Sequence, residues 1–381
     1  MRRLLVPALA VAAAGFALLL WPARRAPLAG PAERLVLSPA GPKEAFARAL
    51  APKIFRIPED QGPHYDYETE WWYVTGTLSS PDGQAFAYQL TIFRRGLAPG
   101  PPPAEGLATN QIYFAHCALT DPARGTHVYD ERWSRGASGL AGASPSEAHV
   151  EDWRLEFPGD RGTWFTAAAR FKDAGVDLRL EPRTRLVSEG EGGLSAKGRE
   201  AGNASYYWSL PRLRTSGTIR TAGATHEVQG ESWFDHEWST SALAPGAVGW
   251  DWFGLQLDDL RELMFFRIRD ASSSALFASG TLIDATGEGR RLGEDHARLK
   301  SLSWWRSPAS GARYPSGWTL DLPEESLSLE VEPWIRDQEL LLSFTYWEGA
   351  VNVKGLSKGR SVGGRGFVEL TGYLHPMTGV F

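Results

Sequence analysis

Short runs of alternating apolar and polar residues fill much of the chain, and this pattern predicts β-strands. In the run 71–78, alternation places Trp72 and Leu78 on one face of a strand, because successive side chains on a strand point to opposite sides. A turn sequence, 80–83 (Ser-Pro-Asp-Gly), follows, and apolar residues alternate again in 86–92. Two such runs joined by a short turn are typical of a β-hairpin.

The hairpin pattern occurs again later in the chain and predicts an internal duplication. The run 250–257 is also aromatic, is followed by an acidic turn, and returns through 262–269. Unrelated antiparallel hairpins also resemble one another, which is the alternative interpretation. Many short strands with few candidate helices indicate an all-β fold of the sandwich or barrel type. We therefore predict two tandem β domains, 54–232 and 233–381.

The composition adds an unusual surplus of aromatic residues to this picture. The 381 residues include 16 Trp, 17 Phe and 11 Tyr, and a buried indole usually needs an acceptor for its N–H. So many indoles are difficult to pack into two ordinary cores. A barrel of about eight strands, in contrast, can enclose a cavity for one small ligand. The surplus therefore favours an aromatic-lined cavity that binds an apolar small molecule or lipid.

Several other classes of protein fit the sequence poorly. A net charge of −5 without a long basic run argues against a nucleic-acid partner. The single cysteine, Cys117, excludes an intrachain disulfide framework and a thiolate zinc cluster. The eight histidines show no convincing metal spacing, and no phosphate-binding loop or nucleophile-elbow motif occurs. Neither a metal nor an organic cofactor is therefore expected.

The amino terminus predicts export. Two arginines at positions 2 and 3 precede an apolar stretch, 4–21, which is the layout of a secretory signal. The stretch is also just long enough to span a bilayer as an uncleaved anchor. We therefore expect 1–25 to be a signal peptide or an anchor, and 26–53 to be a linker. The protein is then periplasmic or secreted, or tethered to the membrane by its amino-terminal helix.

The densest group of chemically active residues is 232–238, which holds two acids, one histidine and two tryptophans. If this segment is extended, Asp235 and Glu237 face one side of the strand, whereas His236 and Trp238 face the other. A carboxyl group in an aromatic, apolar pocket has a raised pKa and can donate a proton near neutral pH. Such a donor can protonate an alkene, and nearby indole faces can stabilise the resulting carbocation.

These considerations select two groups of candidate residues. The candidate catalytic residues are Asp235, His236, Glu237, Trp238 and Asp251. The candidate ligand-binding residues come from three aromatic segments and are Glu70, Trp71, Trp72, Trp250, Trp252, Tyr346 and Trp347. In the enzyme hypothesis His236 orients water, while Trp238, Trp250 and Trp252 stabilise positive charge. For any single carboxylate, the alternative is a salt bridge or a turn contact within a sheet.

Several of these segments also occur together in a known family. The segments 70–76 (Glu-Trp-Trp-Tyr-Val-Thr-Gly), 233–238 (Trp-Phe-Asp-His-Glu-Trp), 250–252 (Trp-Asp-Trp), 346–349 (Tyr-Trp-Glu-Gly) and 369–373 (Glu-Leu-Thr-Gly-Tyr) resemble the secreted lipocalin-like proteins grouped with carotenoid 1,2-hydratase. The resemblance covers roughly residues 55 to 375. It implies two tandem lipocalin-like antiparallel β-barrels, in agreement with the duplication.

The same resemblance implies a site. The hydratases rely on a His-x-Trp motif, which His236 and Trp238 match, and on a later Tyr-x-Asp motif, which has no counterpart in 263–268. The first hypothesis is thus an exported protein that binds an elongated polyene, isoprenoid or lipid, and the second adds hydration or isomerisation of a C=C bond. A non-catalytic lipid carrier and a structural surface protein are the alternatives. The sequence leaves the ligand, the oligomeric state and cleavage of the amino-terminal segment open.

Overall fold

Nearly all regular structure in the chain is β-strand. The computed structural model describes residues 46–103, 107–157, 164–241 and 243–379. Within them, helix is limited to two single 3₁₀ turns, Glu59–Gln61 and Pro323–Glu325, so the predicted all-β fold is confirmed. The predicted targeting segment 1–25 and most of the predicted linker 26–53 lie outside the described residues.

Thirteen strands form the first sheet. They are β1 (Thr69–Ser79), β2 (Ala85–Gly96), β3 (Gln111–Asp121), β4 (Thr126–Arg135), β5 (Ala141–Ser144), β6 (Glu147–Val150), β7 (Trp153–Glu156), β8 (Phe165–Phe171), β9 (Ala174–Pro182), β10 (Val187–Ser188), β11 (Leu194–Ala196), β12 (Ala204–Thr221) and β13 (Ala224–Ser239). The main path runs β4-β3-β2-β1-β13-β12-β9-β8-β7-β6-β5, and β10 and β11 pair with β12. Because β4 at one end also contacts β6 near the other, the sheet curls into a nearly closed antiparallel barrel.

The rest of the described chain forms a second large sheet and a small ribbon. These strands are β14 (Gly249–Leu257), β15 (Glu262–Arg269), β16 (Ala275–Ile283), β17 (Gly289–Leu292), β18 (Arg298–Ser301), β19 (Trp304–Arg306), β20 (Arg313–Pro315), β21 (Trp318–Leu322), β22 (Leu327–Pro333), β23 (Glu339–Leu341), β24 (Thr345–Ser357) and β25 (Arg360–Leu370). Strands β19 and β20 make the ribbon. The others form the second sheet in the order β17-β16-β15-β14-β25-β24-β22-β21-β18, with β23 beside β24.

The two sheets repeat one strand order. Each begins with a four-strand meander, β1 to β4 in the first sheet and β14 to β17 in the second. In each, the opening strand also pairs antiparallel with the closing strand, β1 with β13 and β14 with β25. This is the arrangement that the predicted internal duplication requires. The predicted boundary at residue 233 falls inside β13, and the chain passes from the first sheet to the second between Ser239 and Gly249.

Apolar side chains collect in three main places because the opening strands are covered on both faces. One cluster fills the first barrel and includes Trp72 and Val74 of β1. A second cluster lies inside the second sheet. A third includes Trp71 and Tyr73, from the opposite face of β1, together with Trp252 of β14, and it therefore lies where the two sheets meet. Among the described residues, no helix has the length and hydropathy needed to cross a membrane.

Candidate active site

The predicted catalytic residues 235–238 lie on both faces of strand β13. Trp238 belongs to the interior cluster of the first barrel, and the ring of His236 stacks on that of Trp72 with centroids 4.8 Å apart. Asp235 and Glu237 point the other way, toward the second sheet. The alternation predicted for this strand is correct. It also means that His236 and Asp235 do not face the same space.

A pocket lies where the two sheets meet, and we call it the inter-sheet pocket. It encloses a cavity of about 70 Å³ within a larger recess that is open to solvent. Aromatic residues dominate its wall, and four carboxyl groups and one lysine interrupt them. The lining residues are Trp71, Tyr73, Gln89, Thr91, Phe93, Lys197, Asp235, Glu237, Trp250, Trp252, Phe266, Ile268, Tyr346, Glu348 and Glu369.

The sequence-predicted residues fall into two sets. Those that line the inter-sheet pocket are Trp71, Trp250, Trp252, Tyr346, Asp235 and Glu237. Those that do not line it are Glu70, Trp72, His236, Trp238, Asp251 and Trp347. A vacant space beside Trp250 and Trp252 is the feature that the cavity hypothesis requires. Trp238, in contrast, is fully buried and stacks on the His64 ring with centroids 3.5 Å apart.

Asp251 and Trp347 lie in the interior of the second sheet. The Asp251 carboxylate accepts hydrogen bonds from Arg267 Nε and Arg269 Nε, each at 2.7 Å, and from the Tyr373 hydroxyl at 3.1 Å. Two guanidinium partners make this group a buried ion-pair centre rather than a proton donor. Trp347 packs in the interior cluster and donates its indole N–H to the Arg336 carbonyl at 2.8 Å.

Asp235 is a buried acid surrounded by donors rather than cations. Its carboxyl accepts hydrogen bonds from Tyr207 Oη at 2.7 Å, Ser209 Oγ at 2.6 Å and Trp233 Nε1 at 2.6 Å. Burial nevertheless raises its pKa to about 7, because these neutral donors offset only part of the cost of desolvating the charge.

The hydrogen bonds of the Ser209 hydroxyl also indicate that a buried carboxyl group here is protonated. Ser209 Oγ lies 2.6 Å from Asp235 Oδ1 and 3.0 Å from Glu189 Oε1, yet a hydroxyl can donate only one proton. If both contacts are hydrogen bonds, one of the two carboxyl groups must carry a proton and donate it to the serine. Burial raises the pKa of Glu189 to about 8, which agrees with that assignment.

Glu348 and Glu369 form an acid pair on neighbouring strands. They are directly opposite each other in the β24–β25 register. Glu348 Oε1 accepts a hydrogen bond from the Tyr73 hydroxyl at 2.8 Å, while the buried Glu348 Oε2 has no hydrogen-bond partner among the described residues. Burial, and then the neighbouring Glu369, raise the pKa of Glu348 well above its usual value. Burial raises the pKa of Glu369 to about 7.

Lys197 is the cation in the wall of the pocket among the described residues. Its Nζ lies 2.6 Å from Glu237 Oε1 and 4.3 Å from the centre of the Phe266 ring. Glu237 is therefore neutralised by a direct partner, whereas Asp235 and Glu348 have no such partner. Proton donation in the pocket is accordingly expected from the unpaired acids and not from Glu237.

The remaining predicted residues belong to a second site inside the first barrel. Glu70 Oε1 lies 2.7 Å from His64 Nδ1 and 2.9 Å from His236 Nε2, and Glu70 Oε2 accepts from Arg94 Nε at 2.8 Å. Asp60 contacts both histidines from the other side. We call Asp60, His64, Glu70 and His236 the imidazole cluster. Arg94 and His64 keep the pKa of Glu70 well below its usual range despite complete burial.

Sequence reasoning missed two central acids of the pocket, Glu348 and Glu369. The duplication contained an indication of both. Strands β13 and β25 are the closing strands of their sheets. Asp235 of β13 lies opposite Tyr73, and Glu369 of β25 lies opposite Trp252 in the same way. The register between β24 and β25 then places Glu348 beside Glu369. That register is not readable from the order of residues alone.

Comparison with known proteins agrees with this architecture. The model of the AttH-like family matches residues 48–373 of the chain. A crystal structure of a protein named AttH from Nitrosomonas europaea superposes with a TM-score of 0.79 at 34% identity, and the match covers 87% of this chain and 100% of that one. Among curated protein sequences, none matches the chain.

More distant solved structures share the fold. Kievitone hydratase from Nectria haematococca matches with a TM-score of 0.65 at 16% identity, over 87% of this chain and 97% of its own. CghA, solved with Sch210972, matches with a TM-score of 0.52 at 11% identity, over 87% of this chain and 97% of its own. The span of the family model and the identity to the Nitrosomonas protein place the chain in one family: it belongs to the AttH-like family.

Proposed function

We propose that this protein binds an elongated apolar ligand in the inter-sheet pocket and protonates one of its carbon–carbon double bonds, as a hydro-lyase or isomerase. The observation that carries the proposal is Glu348. Its carboxyl group is buried, lies next to a second acid rather than a cation, belongs to the wall of an aromatic pocket, and has one oxygen without a hydrogen-bond partner among the described residues. A protonated Oε2 is a proton donor that the protein itself leaves unused.

The ligand class follows from the wall of the pocket. Most of its surface is apolar, and seven of its fifteen lining residues are aromatic, as in sites that bind an apolar molecule and orient it with polar groups. A polyene, an isoprenoid chain or another alkene-containing lipid fits this chemistry. The faces of Trp71, Trp250 and Trp252 would attract positive charge that develops on such a chain.

The proposed steps account for each proton and electron pair with groups that line the pocket and one water molecule. Glu348 gives its proton to one alkene carbon, and the π electron pair forms the new C–H bond, which leaves a carbocation on the adjacent carbon. Water then adds to the cation and gives a proton to a carboxylate, of which Glu369 is the nearest on the neighbouring strand. Alternatively, loss of a proton from a neighbouring carbon to that carboxylate yields an isomer. General acid catalysis of this kind contributes about 10²- to 10⁴-fold to a rate.

The solved neighbours support the reaction class only through their fold. One of them is named a hydratase and has the same two-sheet architecture at 16% identity. The sequence resemblance to the carotenoid 1,2-hydratase group points in the same direction. Neither likeness identifies the substrate of this chain, so the substrate must come from experiment.

The test is removal of the proton donor with its shape retained. An acyclic carotenoid is incubated with the wild-type protein and with Glu348→Gln, and products are analysed by liquid chromatography and mass spectrometry. Turnover should fall by about 10²- to 10⁴-fold in the variant. Glu332→Gln, an exposed glutamate on β22, is the matched control and should leave turnover unchanged. Equal turnover by Glu348→Gln and the wild type would contradict the proposal.

A lipid carrier without catalysis is the second candidate. It is favoured by the position of His236 and Trp238, because this His-x-Trp pair lies inside the first barrel and not in the inter-sheet pocket. Native mass spectrometry of the purified protein would reveal a co-purified lipid. An unchanged ligand after prolonged incubation, together with equal binding by wild type and Glu348→Gln, would support the carrier.

We also propose that the protein acts outside the cytoplasm. The basic start and apolar stretch 4–21 support export, and they lie outside the described residues. Fractionation of cells, followed by amino-terminal sequencing of the mature protein, tests this proposal. A cytoplasmic protein that keeps residues 1–25 would contradict it.

A further inference from the structure

The imidazole cluster has a hydrogen-bond pattern that its own protons do not satisfy easily. All four ring nitrogens of His64 and His236 face oxygen acceptors. For His64, Nδ1 lies 2.7 Å from Glu70 Oε1 and Nε2 lies 3.0 Å from Asp60 Oδ1. For His236, Nε2 lies 2.9 Å from Glu70 Oε1 and Nδ1 lies 3.0 Å from the Asp60 carbonyl oxygen.

A neutral imidazole carries one N–H and one lone pair. Four hydrogen bonds therefore require both rings to be imidazolium ions, with their centroids 5.7 Å apart. His236 is completely buried, and burying a charged ring away from water is costly. If His236 is neutral, one of its lone pairs is directed at an oxygen lone pair. Glu70 does not relieve this conflict by donating a proton, because it is ion-paired with the Arg94 guanidinium at 2.8 Å.

We propose that the imidazole cluster is a zinc site, in which His64 Nδ1, Glu70 Oε1 and His236 Nε2 bind one Zn²⁺. These three atoms lie within 4.8 Å of one another. Two imidazoles and one carboxylate are a ligand set that zinc uses where a fourth position is left for water. Ligand atoms around a tetrahedral zinc ion lie roughly 3.3 Å apart, and Glu70 Oε1 lies somewhat closer than that to each nitrogen, at 2.7 and 2.9 Å.

The surroundings of the three ligand atoms support this assignment. A histidine that binds a metal normally donates its other ring N–H to a carboxylate or a carbonyl oxygen. Here Asp60 supplies both acceptors, its carboxylate to His64 Nε2 and its carbonyl to His236 Nδ1. Arg94 Nε holds the second oxygen of Glu70 at 2.8 Å and so leaves Oε1 as the metal ligand.

Charge and access are also compatible with a zinc ion. Two cations lie next to the cluster: Arg94 pairs with Glu70, and Lys53 Nζ lies 3.1 Å from Asp60 Oδ1. Zn²⁺ with two neutral imidazoles carries the same total charge as two imidazolium rings, so these cations oppose both states to a similar extent. Zinc also removes the lone-pair conflict, because both nitrogen lone pairs and Oε1 then face one cation. The side chain of His64 is 15% exposed, so the cluster reaches the protein surface at this residue. Stacking on Trp238 fixes the His64 ring in place.

The experiment measures metal content directly. The full chain is treated with a chelator, dialysed against Zn²⁺ alone and analysed by elemental mass spectrometry, and binding is followed by calorimetry. We expect close to one zinc per chain and a higher melting temperature with zinc. His64→Gln, at the edge of the cluster, and His236→Gln should each lose the bound zinc and the rise in melting temperature. His149→Gln, a histidine on β6 outside the cluster, should retain both. Circular dichroism verifies that each variant is folded.

Cobalt provides a second measurement that does not depend on stability. Co²⁺ in a four-coordinate site with nitrogen and oxygen ligands absorbs visible light strongly, so the wild-type protein and His149→Gln should become coloured on titration. Wild-type zinc content in His64→Gln and His236→Gln would overturn the proposal. So would a wild-type protein that takes up no zinc, or nitrogen NMR that finds all four ring nitrogens protonated in the presence of zinc.

Discussion

The two faces of strand β13 build two polar sites of opposite character. On the face inside the first barrel, His236 joins Glu70, whose second oxygen is bound by Arg94. On the face toward the second sheet, Asp235 joins an aromatic pocket that contains Glu348. Both sites are buried and both contain carboxyl groups. They differ in their partners, which are cations in the first and neutral donors or other acids in the second.

This difference determines the protonation of the carboxyl groups. Glu70 and Glu348 are both buried, yet the pKa of Glu70 is lowered and that of Glu348 is raised. Burial alone raises the pKa of any carboxyl group, and nearby positive charge, together with hydrogen bonds to the charged form, reverses the effect at Glu70. The comparison shows that aromatic surroundings are not sufficient to identify a proton donor, because Glu70 also lies among rings. The cation beside it has to be located first.

The largest expected effect comes from removing the cation beside Glu70. Arg94→Met leaves a buried carboxylate without its guanidinium partner and should lower the free energy of unfolding by about 3 to 5 kcal/mol. Urea denaturation followed by circular dichroism measures the change. Arg185→Met is the control, because its ion pair with Glu288 is exposed and should matter by less than about 1 kcal/mol. Equal effects of the two substitutions would refute the distinction between the sites.

The two sites should change the free energy of unfolding in opposite directions as pH rises. The native pKa of Asp235, about 7, lies above its unfolded value, so the native state holds this proton more tightly. Asp235 therefore contributes to the free energy of unfolding at low pH, and this contribution falls by a few kcal/mol in all as pH rises from about 4 to 7. The pKa of Asp60 is lowered to about 2, so its contribution is lost as pH falls below about 4.

Unfolding of the wild type and Asp235→Asn, measured in urea between about pH 4.5 and 8, isolates the first contribution. The difference in unfolding free energy, wild type minus variant, should fall as pH rises. A difference that is independent of pH in this range would mean that Asp235 is ionised throughout and that the pocket holds a charge.

A smaller effect is expected from the pocket wall. Trp252→Leu removes an indole face that lines the pocket and should weaken binding of an apolar polyene such as retinol by about 10-fold, or ~1.4 kcal/mol. Trp304→Leu, an exposed indole on β19, is the control. Quenching of tryptophan fluorescence by retinol measures both affinities. Identical affinities in the two variants would place the ligand elsewhere.

Glycine 254 offers a finer test of the same wall. The indole of Trp252 lies against the position where a Cβ on Gly254 would be, so Gly254→Ala should displace the ring without removing it. We expect a loss of retinol affinity smaller than that of Trp252→Leu, measured in the same way. An unchanged affinity would show that the position of the Trp252 ring does not matter for binding.

Local patterns in the sequence were sufficient for the strands and for much of the fold. Alternation predicted that Asp235 and Glu237 share one face of β13 and that His236 shares the other with Trp238, and this is what the structure has. The repeated aromatic hairpins predicted a duplication, and the two sheets share one strand order. These features depend on neighbours in the chain, since side-chain direction in a strand has a period of two.

The composition of each site depended on distant contacts. Glu70 and His236 are 166 positions apart, so the spacing of the histidines gave no indication of the imidazole cluster. Asp251 was a reasonable candidate acid until Arg267 and Arg269 proved to bind it. The sequence does not single out Glu348, because the acid beside it, Glu369, comes from another strand.

The sequence by itself determined the strands, their faces, the two-fold repeat and the presence of many rings and acids. The tertiary structure alone decided which acid has a cation beside it and which has an apolar wall. The physical reason is that strand direction is a property of consecutive residues, whereas proton affinity is a property of the space around a group. That space is formed by strands far apart in the chain, and it makes Glu70 an anion and Glu348 an acid.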